Sequence, residues 1–391
     1  MPFALYLLGL AVFAQGTSEF MLSGLVPGIA RDLAVSIPAA GSLTSAFAVG
    51  MIVGAPLMAI LSLRWPRRRA LLIFLGVFIA VHVIGALTTD FAVLLMTRVA
   101  GALANAGFLA VALATAASIV APARKGKATA VLLGGVTLAC VVGVPAGAVL
   151  GQLWGWRSAF WAVVLISLPA LVAVLRSVTV TDEPEPSEGA RAELRALRRP
   201  RLLVVLTLGA LVNGATFCTF TYLAPLVTDV TGLGHGWIPV LLALFGIGSF
   251  AGVTIGGRIA DGHPARLLVI GAVALVAGWA LFALLAGQLV AVVVLTLAQG
   301  TLSFAVGSTL IARVLYTAAE APRLGGAFAT AAFNVGAAIG PWAGGWAIAS
   351  GFGYRSPLWV SAALVGVALL VAASAVTARR PLSARVKTAG G

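Results

Sequence analysis

Glu19 and Arg98 are the clearest ionisable side chains to fall inside long apolar runs of this sequence, with Asp32 and Asp90 just beyond the ends of such runs. A charge at the centre of a hydrocarbon layer costs about 2.5–3.5 kcal/mol on insertion scales, so residues of this kind are rare and usually functional. Read as helical, the run holding Glu19 places it about eight residues from one end, roughly 12 Å deep at about 1.5 Å per residue. Arg98 lies about seven residues below the corresponding end of its own run, roughly 10 Å by the same rise. The depths match, and an acid beside a guanidinium has two uses. Burial and the neighbouring cation act on a carboxyl group in opposite senses, so the acid can take up and release a proton as its surroundings change. Alternatively, the pair is a fixed structural contact that specifies packing.

Other chemistries find little support. There is no His/Cys cluster, no pair of carboxylates within the apolar runs, no Gly-x-Ser-x-Gly and no phosphate-binding loop. His82, inside an apolar run, reads as a packing residue rather than a proton relay, and His235 and His263 stand in polar connections without a second ligand at metal spacing. Cys140 and Cys218 both lie within apolar runs and suggest neither a disulfide nor a metal site. These features argue against a membrane-embedded enzyme and against direct coupling to ATP.

Composition sets the elements that hold these residues. Of the 391 residues 61% are hydrophobic and only 9% charged, against about 25% charged in soluble domains. No soluble core could bury so much apolar surface; lipid is its solvent. Runs long enough to cross a bilayer, about 20 residues, recur at 4–27, 38–63, 70–88, 92–120, 128–151, 159–175, 202–228, 238–257, 267–286, 290–312, 325–350 and 358–378. The expectation is an all-α membrane protein of twelve transmembrane helices, with 92–120 and 325–350 long enough to tilt. Met1–Phe20 lacks a basic leading segment and a small-residue cleavage site, so it reads as the first helix and not as a signal peptide.

The net charge of +14 is a topology signal and not a nucleic-acid footprint. Of 25 basic residues, 21 fall in segments on the N-terminal side of the membrane, whereas Arg31, Arg157 and Arg355 lie on the other. This bias predicts both termini in the cytoplasm. Trp154, Trp156, Trp237 and Trp359 mark the predicted outer helix ends as an interfacial aromatic belt would.

The longest polar stretch separates six runs from six. It predicts an N-terminal six-helix bundle over 1–175, a cytoplasmic linker over 176–201, and a C-terminal six-helix bundle with a short tail over 202–391. The halves repeat: Gly155-Trp-Arg-Ser-Ala-Phe-Trp161 matches Gly353-Tyr-Arg-Ser-Pro-Leu-Trp359 at an offset of 198, as Pro66 matches Pro264 and Arg68 matches Arg266. Six helices return the chain to its starting side, so the repeat is parallel. Parallel halves with a site between them are a transporter architecture.

Several motifs sharpen this. The connection Gly257-Arg258-Ile-Ala-Asp261-Gly-His-Pro-Ala-Arg266 joins acid and basic residues. Its first-half copy has Leu63 opposite Asp261. The fifth run carries Gly135, Gly143, Pro145, Gly147 and Gly151, and the first reads Gly16-Thr-Ser-Glu19-Phe-Met-Leu-Ser-Gly-Leu-Val-Pro27. In these residues the chain resembles the major facilitator superfamily, and within it the twelve-helix drug:proton antiporters. The first run, the loop Leu63-Arg-Trp-Pro-Arg-Arg-Arg69 and Leu138-Ala-Cys-Val-Val-Gly-Val-Pro145 are most similar to the branch of actinobacterial chloramphenicol-resistance exporters, which sits beside sugar- and arabinose-type exporters. Arg98 resembles the family's fourth-helix arginine, although Gly101-Ala102 replaces the usual Gln-Gly.

The resemblance implies the major facilitator fold, two parallel-repeat six-helix bundles, in a bacterial cytoplasmic membrane. It further implies efflux of a small amphipathic drug, chloramphenicol above others, driven by the proton gradient with no cofactor, in a monomer surrounded by lipid. Glu19 and Arg98 would couple the proton. Arg258, Asp261 and Arg266, with Gly135, Gly143, Pro145 and Gly147, would serve conformational change. A neutral aromatic drug needs an apolar pocket with a few converging polar groups. Candidates are Gln15, Glu19, Asn105, Phe108, Asn213, Phe217, Tyr222, Phe304 and Asn334, for each of which packing or an interhelical hydrogen bond is the competing role. A sugar or metabolite exporter, an uptake system and a passive channel are the alternative functions.

Overall fold

The computed structural model describes residues 3–61, 65–120, 125–177, 199–260, 264–318 and 325–377, and all regular structure among them is helical. Twelve spans follow in order. The first, α1, runs Phe3–Phe20 and, past a bend of 53°, Leu22–Asp32. Then come α2 (Ile37–Leu61), α3 (Arg67–Leu87) and α4 (Phe91–Ser118). The fifth span, α5, runs Lys125–Leu138, passes a π-helical turn at Ala139–Gly143 and continues as Val144–Trp154; α6 is Arg157–Ser177. After residue 198, α7 (Pro200–Thr221) is prolonged by Leu223–Pro225 and a π turn at Leu226–Val230. The chain finishes with α8 (Trp237–Ala260), α9 (Pro264–Leu285), α10 (Leu289–Thr317), α11 (Gly325–Ala347, ending in a π turn at Ile348–Phe352) and α12 (Ser356–Thr377).

Ten of these helices are singly long and apolar enough to cross a membrane, and the bent α1 makes an eleventh. The remaining one, α11, has 23 residues and is rich in Gly and Ala. Its modest hydropathy follows from its position, because it packs against both α2 and α7 and small side chains let membrane helices approach closely.

Local chemistry sets several ends. The Asp90 carboxylate accepts from Val93 N at 2.9 Å and caps α4. Pro200 and Pro264 open α7 and α9, where the missing N–H goes unmissed. The breaks between α5 and α6 and between α11 and α12 fall at Gly155 (φ 80°) and Gly353 (φ 72°), in the left-handed region that favours glycine. These two glycines are the first residues of the repeated Gly-aromatic-Arg-Ser segments, so the internal repeat extends to backbone conformation.

Packing sorts the helices into two groups. In the first, α1 packs on α5 and α6, α2 on α4, and α3 on α4 and α6. In the second, α7 packs on α10, α11 and α12, α8 on α10, and α9 on α10 and α12. Two seams join the groups, α2 with α11 and α5 with α8, and a smaller contact sets Leu22–Asp32 of α1 against α7 and its extension. The end of the molecule remote from Phe3 is termed distal. The α5–α8 seam is built from the π turn and the distal segment Val144–Trp154. There Gly246 of α8 lies against the Cys140 carbonyl and Val141 Cα, and Gln152 Nε2 donates to the His235 carbonyl at 2.7 Å. In the other seam, Ser45 Oγ donates to the Ala338 carbonyl at 2.8 Å.

Candidate functional site

Arg98 is 2% exposed and is held on several sides. Its Nη1 donates to Ser18 Oγ at 2.9 Å and Nη2 to the Ser18 carbonyl at 2.8 Å, while the guanidinium sits 4.6 Å from the Phe47 ring centroid. Ser18 Oγ also lies 2.6 Å from His82 Nε2, and His82 Nδ1 lies 2.6 Å from the Phe78 carbonyl. A carbonyl only accepts, so Nδ1 carries the proton and Nε2 accepts from the Ser18 hydroxyl. The chain of donors therefore runs Arg98 to Ser18 to His82 to Phe78 and binds α1, α3 and α4 together. His82 is a satisfied buried residue, as its sequence context suggests.

Glu19 behaves differently. It is partly exposed, its carboxylate has no protein hydrogen bond among the described residues, and it makes no direct ion pair with Arg98. The two charges are near enough to act on each other, but Arg98 Nη1 and Nη2 each donate to the preceding residue, Ser18. The expected close Glu19–Arg98 contact is thus resolved into a fixed cation and an unbonded acid next to it. Glu19 stands one residue before Phe20, where the first segment of α1 ends and the helix bends.

Unpartnered polar atoms surround this pair. Gln15, Ser18 and Glu19 are spaced i, i+3 and i+4 and share a face of α1. Gln15 is 1% exposed, and neither its Oε1 nor its Nε2 has a partner. Arg98 Nε is also unpartnered, and Asn105 Nδ2 finds only the Met51 thioether at 3.7 Å, a weak acceptor. Buried polar groups without partners are costly, and several around one acid indicate a place prepared for a polar ligand.

Across the seam the C-terminal group contributes aromatic rings. Phe217 of α7 lies 5.7 Å, centroid to centroid, from Phe20 of α1. Phe217 meets Phe220 at 6.2 Å, Phe220 meets Phe245 at 4.6 Å, and Phe245 meets Phe304 at 6.1 Å. Phe217 and Phe304 are partly exposed members of this ladder. Asn213, one turn before Phe217, donates from Nδ2 to the Phe333 carbonyl of α11 at 2.7 Å.

Other candidates stand apart from this cluster. Phe108 is fully buried in the core of the first group with Leu8, Phe74 and Ala112, so it packs the bundle. Tyr222 is 1% exposed; its hydroxyl donates to the Pro341 carbonyl at 2.8 Å and its ring lies between Gly41 and Gly345. It is a wedge in the α2–α11 seam. Asn334 is 8% exposed and donates to Thr330 of its own helix at 3.0 Å.

The fifth-helix motif is a packing stripe. Gly135 faces Gly9 and Phe13, Gly143 faces Thr17, Gly147 faces Met21 and Gly151 faces Leu25, so α5 lies along α1 with almost no side chain between them. Pro145 follows the π turn by two residues and has no N–H to give to the preceding turn. Arg258 and Arg266 are exposed at the proximal helix ends; Asp261 lies outside the described residues.

Ser18, Phe47 and Phe20 carry the geometry and were missed in the sequence. A buried arginine must find acceptors, and the hydroxyl beside Glu19 at the depth of Arg98 was the available signal.

A helical chain of two repeated groups that meet along seams, with a buried charged hub in the first, has the architecture of a secondary transporter. The Major Facilitator Superfamily model matches residues 8–331 and 236–391, and the chain belongs to that superfamily as a multi-pass bacterial membrane transporter, not an enzyme. The chain is 56% identical over 375 residues to the "Chloramphenicol resistance protein" of Streptomyces lividans, covering 95% of this chain and 96% of that one. It is 35% identical over 377 residues to the "Inner membrane transport protein YdhP" of Escherichia coli K12, covering 94% and 95%. In fold it is similar to a bacterial homologue of the human lysosomal transporter Spinster, solved in an inward-facing and unoccupied conformation. The TM-score is 0.71 and the identity 17%, over 95% of this chain and 94% of that one.

Proposed function

We propose that this protein exports chloramphenicol across the bacterial cytoplasmic membrane in exchange for protons, and so confers resistance. The relative at 56% identity is named a chloramphenicol resistance protein, which supports the substrate. The unbonded carboxyl of Glu19 beside the locked Arg98 is the observation that carries the coupling. Residues 1–175 and 202–391 act as two rocking bundles joined by the linker 176–201, both termini in the cytoplasm, and the distal end faces outward. The working unit is a monomer in lipid, needing protons, the drug and no cofactor.

Glu19 takes a proton when the distal seam is open and gives it up when the proximal side is open. Arg98 remains fixed by Ser18 and Phe47, a constant charge against which the acid changes state. Gln15 and Asn105 offer hydrogen bonds to the amide and hydroxyl groups of the drug, and Phe20, Phe217 and Phe304 receive its aromatic ring. Asn213 and Asn334 position α7 and α11 around that ring, Tyr222 and Phe108 support the walls, and Asp261 with Arg258 and Arg266 latches the proximal side. Proton and drug compete for one cavity, which makes their movements opposite.

The test is expression in a susceptible host with labelled chloramphenicol. The expected result is lowered intracellular drug that rises to the control level when a protonophore is added. Equal accumulation with and without the protein refutes the assignment, and protection against a sugar or metabolite alone moves it to the alternative exporter class.

A further inference from the structure

The offset of 198 that relates the N-caps Asp90 and Gln288 of α4 and α10 also brings Arg98 onto Thr296. Where the first group has a charged hub, the second has neutral polar groups. Trp279 Nε1 of α9 and Thr296 Oγ1 and Gln299 Oε1 of α10 are buried without a protein partner, in residues no more than 2% exposed. All three residues line one small cavity, whose remaining walls include Phe220, Phe245 and Phe282. The orientation of Gln299 is set: its Nε2 donates to the Leu275 carbonyl at 3.1 Å, so its oxygen is free for the cavity. Gly278 makes room for that amide, since a methyl group there would fall on it.

We propose that this cavity is a binding site for a single water molecule. The water accepts from the Trp279 indole N–H, donates to Gln299 Oε1 and bonds the Thr296 hydroxyl. Buried waters make about three such bonds to otherwise unsatisfied groups, and the cavity has room for one water-sized occupant. The aromatic walls and the lack of a charged lining residue exclude an ion. The hydrated hub ties α9 to α10 at the repeat position where Arg98 ties α4 to α1 and α3, so that among the described residues the buried fixed charge lies in the N-terminal half.

The test uses the full-length protein in lipid nanodiscs, with Thr296→Val, Gln299→Met and the double variant. Removing one partner leaves the water and the other groups unsatisfied, whereas removing both reduces the need for the water. Each single variant is therefore expected to lower Tm by a few degrees, and the double by clearly less than the sum. Single variants that raise Tm, or effects that simply add, overturn the proposal in favour of a dry cavity or independent contacts. An unchanged Tm with an altered drug profile overturns it in favour of a substrate subsite. A high-resolution map of the unaltered protein gives a second reading: a solvent peak within hydrogen-bond distance of all three atoms is expected, and an empty cavity contradicts it even if the variants fail to fold.

Discussion

Replacing Gly246 by alanine should push the transporter out of the seam-closed conformation. A methyl group on Gly246 would lie 2.8 Å from both the Cys140 carbonyl carbon and Val141 Cα. That is 0.6 Å inside the 3.4 Å at which ordinary contact begins, and the obstacle is backbone, which cannot rotate away. Overpacking of this kind costs about 1–3 kcal/mol. Because the clash exists only while α5 and α8 touch, the cost falls on one conformation and shifts the equilibrium by roughly 5- to 150-fold. The assay is a distance distribution between spin labels at Leu153 and Val240, exposed positions on α5 and α8, in a background lacking Cys140 and Cys218. Gly246→Ala should enlarge the long-distance population and slow efflux. Gly257→Ala, on the same helix with nothing within 4 Å, should do neither. An unchanged distribution with normal efflux in Gly246→Ala would refute the reasoning.

Arg98→Lys should leave the protein in the membrane but reduce efflux at least ~10-fold. A lysine cannot donate to both Ser18 oxygens and stack on Phe47 as the planar guanidinium does; resistance at matched protein levels measures this. Tyr222→Phe removes only the bond to the Pro341 carbonyl and should cost about 1 kcal/mol, seen as a small fall in Tm with the drug profile retained. Asp32→Asn loses the ion pair with Arg157 but can keep accepting from Trp156 Nε1. Both charged side chains are substantially exposed, so the loss should stay under about 1 kcal/mol, and efflux should be unaffected.

The spans were legible because lipid demands long apolar helices, and the Gly155 and Gly353 repeat because a backbone with positive φ selects glycine. The 53° bend in α1 was not, since Phe20-Met21-Leu22 contains neither Pro nor Gly. The depth argument brought Glu19 and Arg98 to one level but did not reveal Ser18 as the hydrogen-bond partner of the arginine. Depth resolves position along a helix axis, whereas adjacent residues such as Ser18 and Glu19 point about 100° apart, and only packing against α3 and α4 decides which one faces the arginine. The places of Phe108 in a core and Tyr222 in a seam were not legible for a similar reason: an aromatic residue in a membrane helix is equally suited to a core, a seam or a cavity wall.

Drug-driven proton movement in proteoliposomes tests the coupling most directly. Imposing a chloramphenicol gradient should drive protons the other way through the unaltered protein, and Glu19→Gln should abolish that flux while drug binding persists. Undiminished proton movement in Glu19→Gln would contradict the assignment of Glu19 as the group that carries the proton.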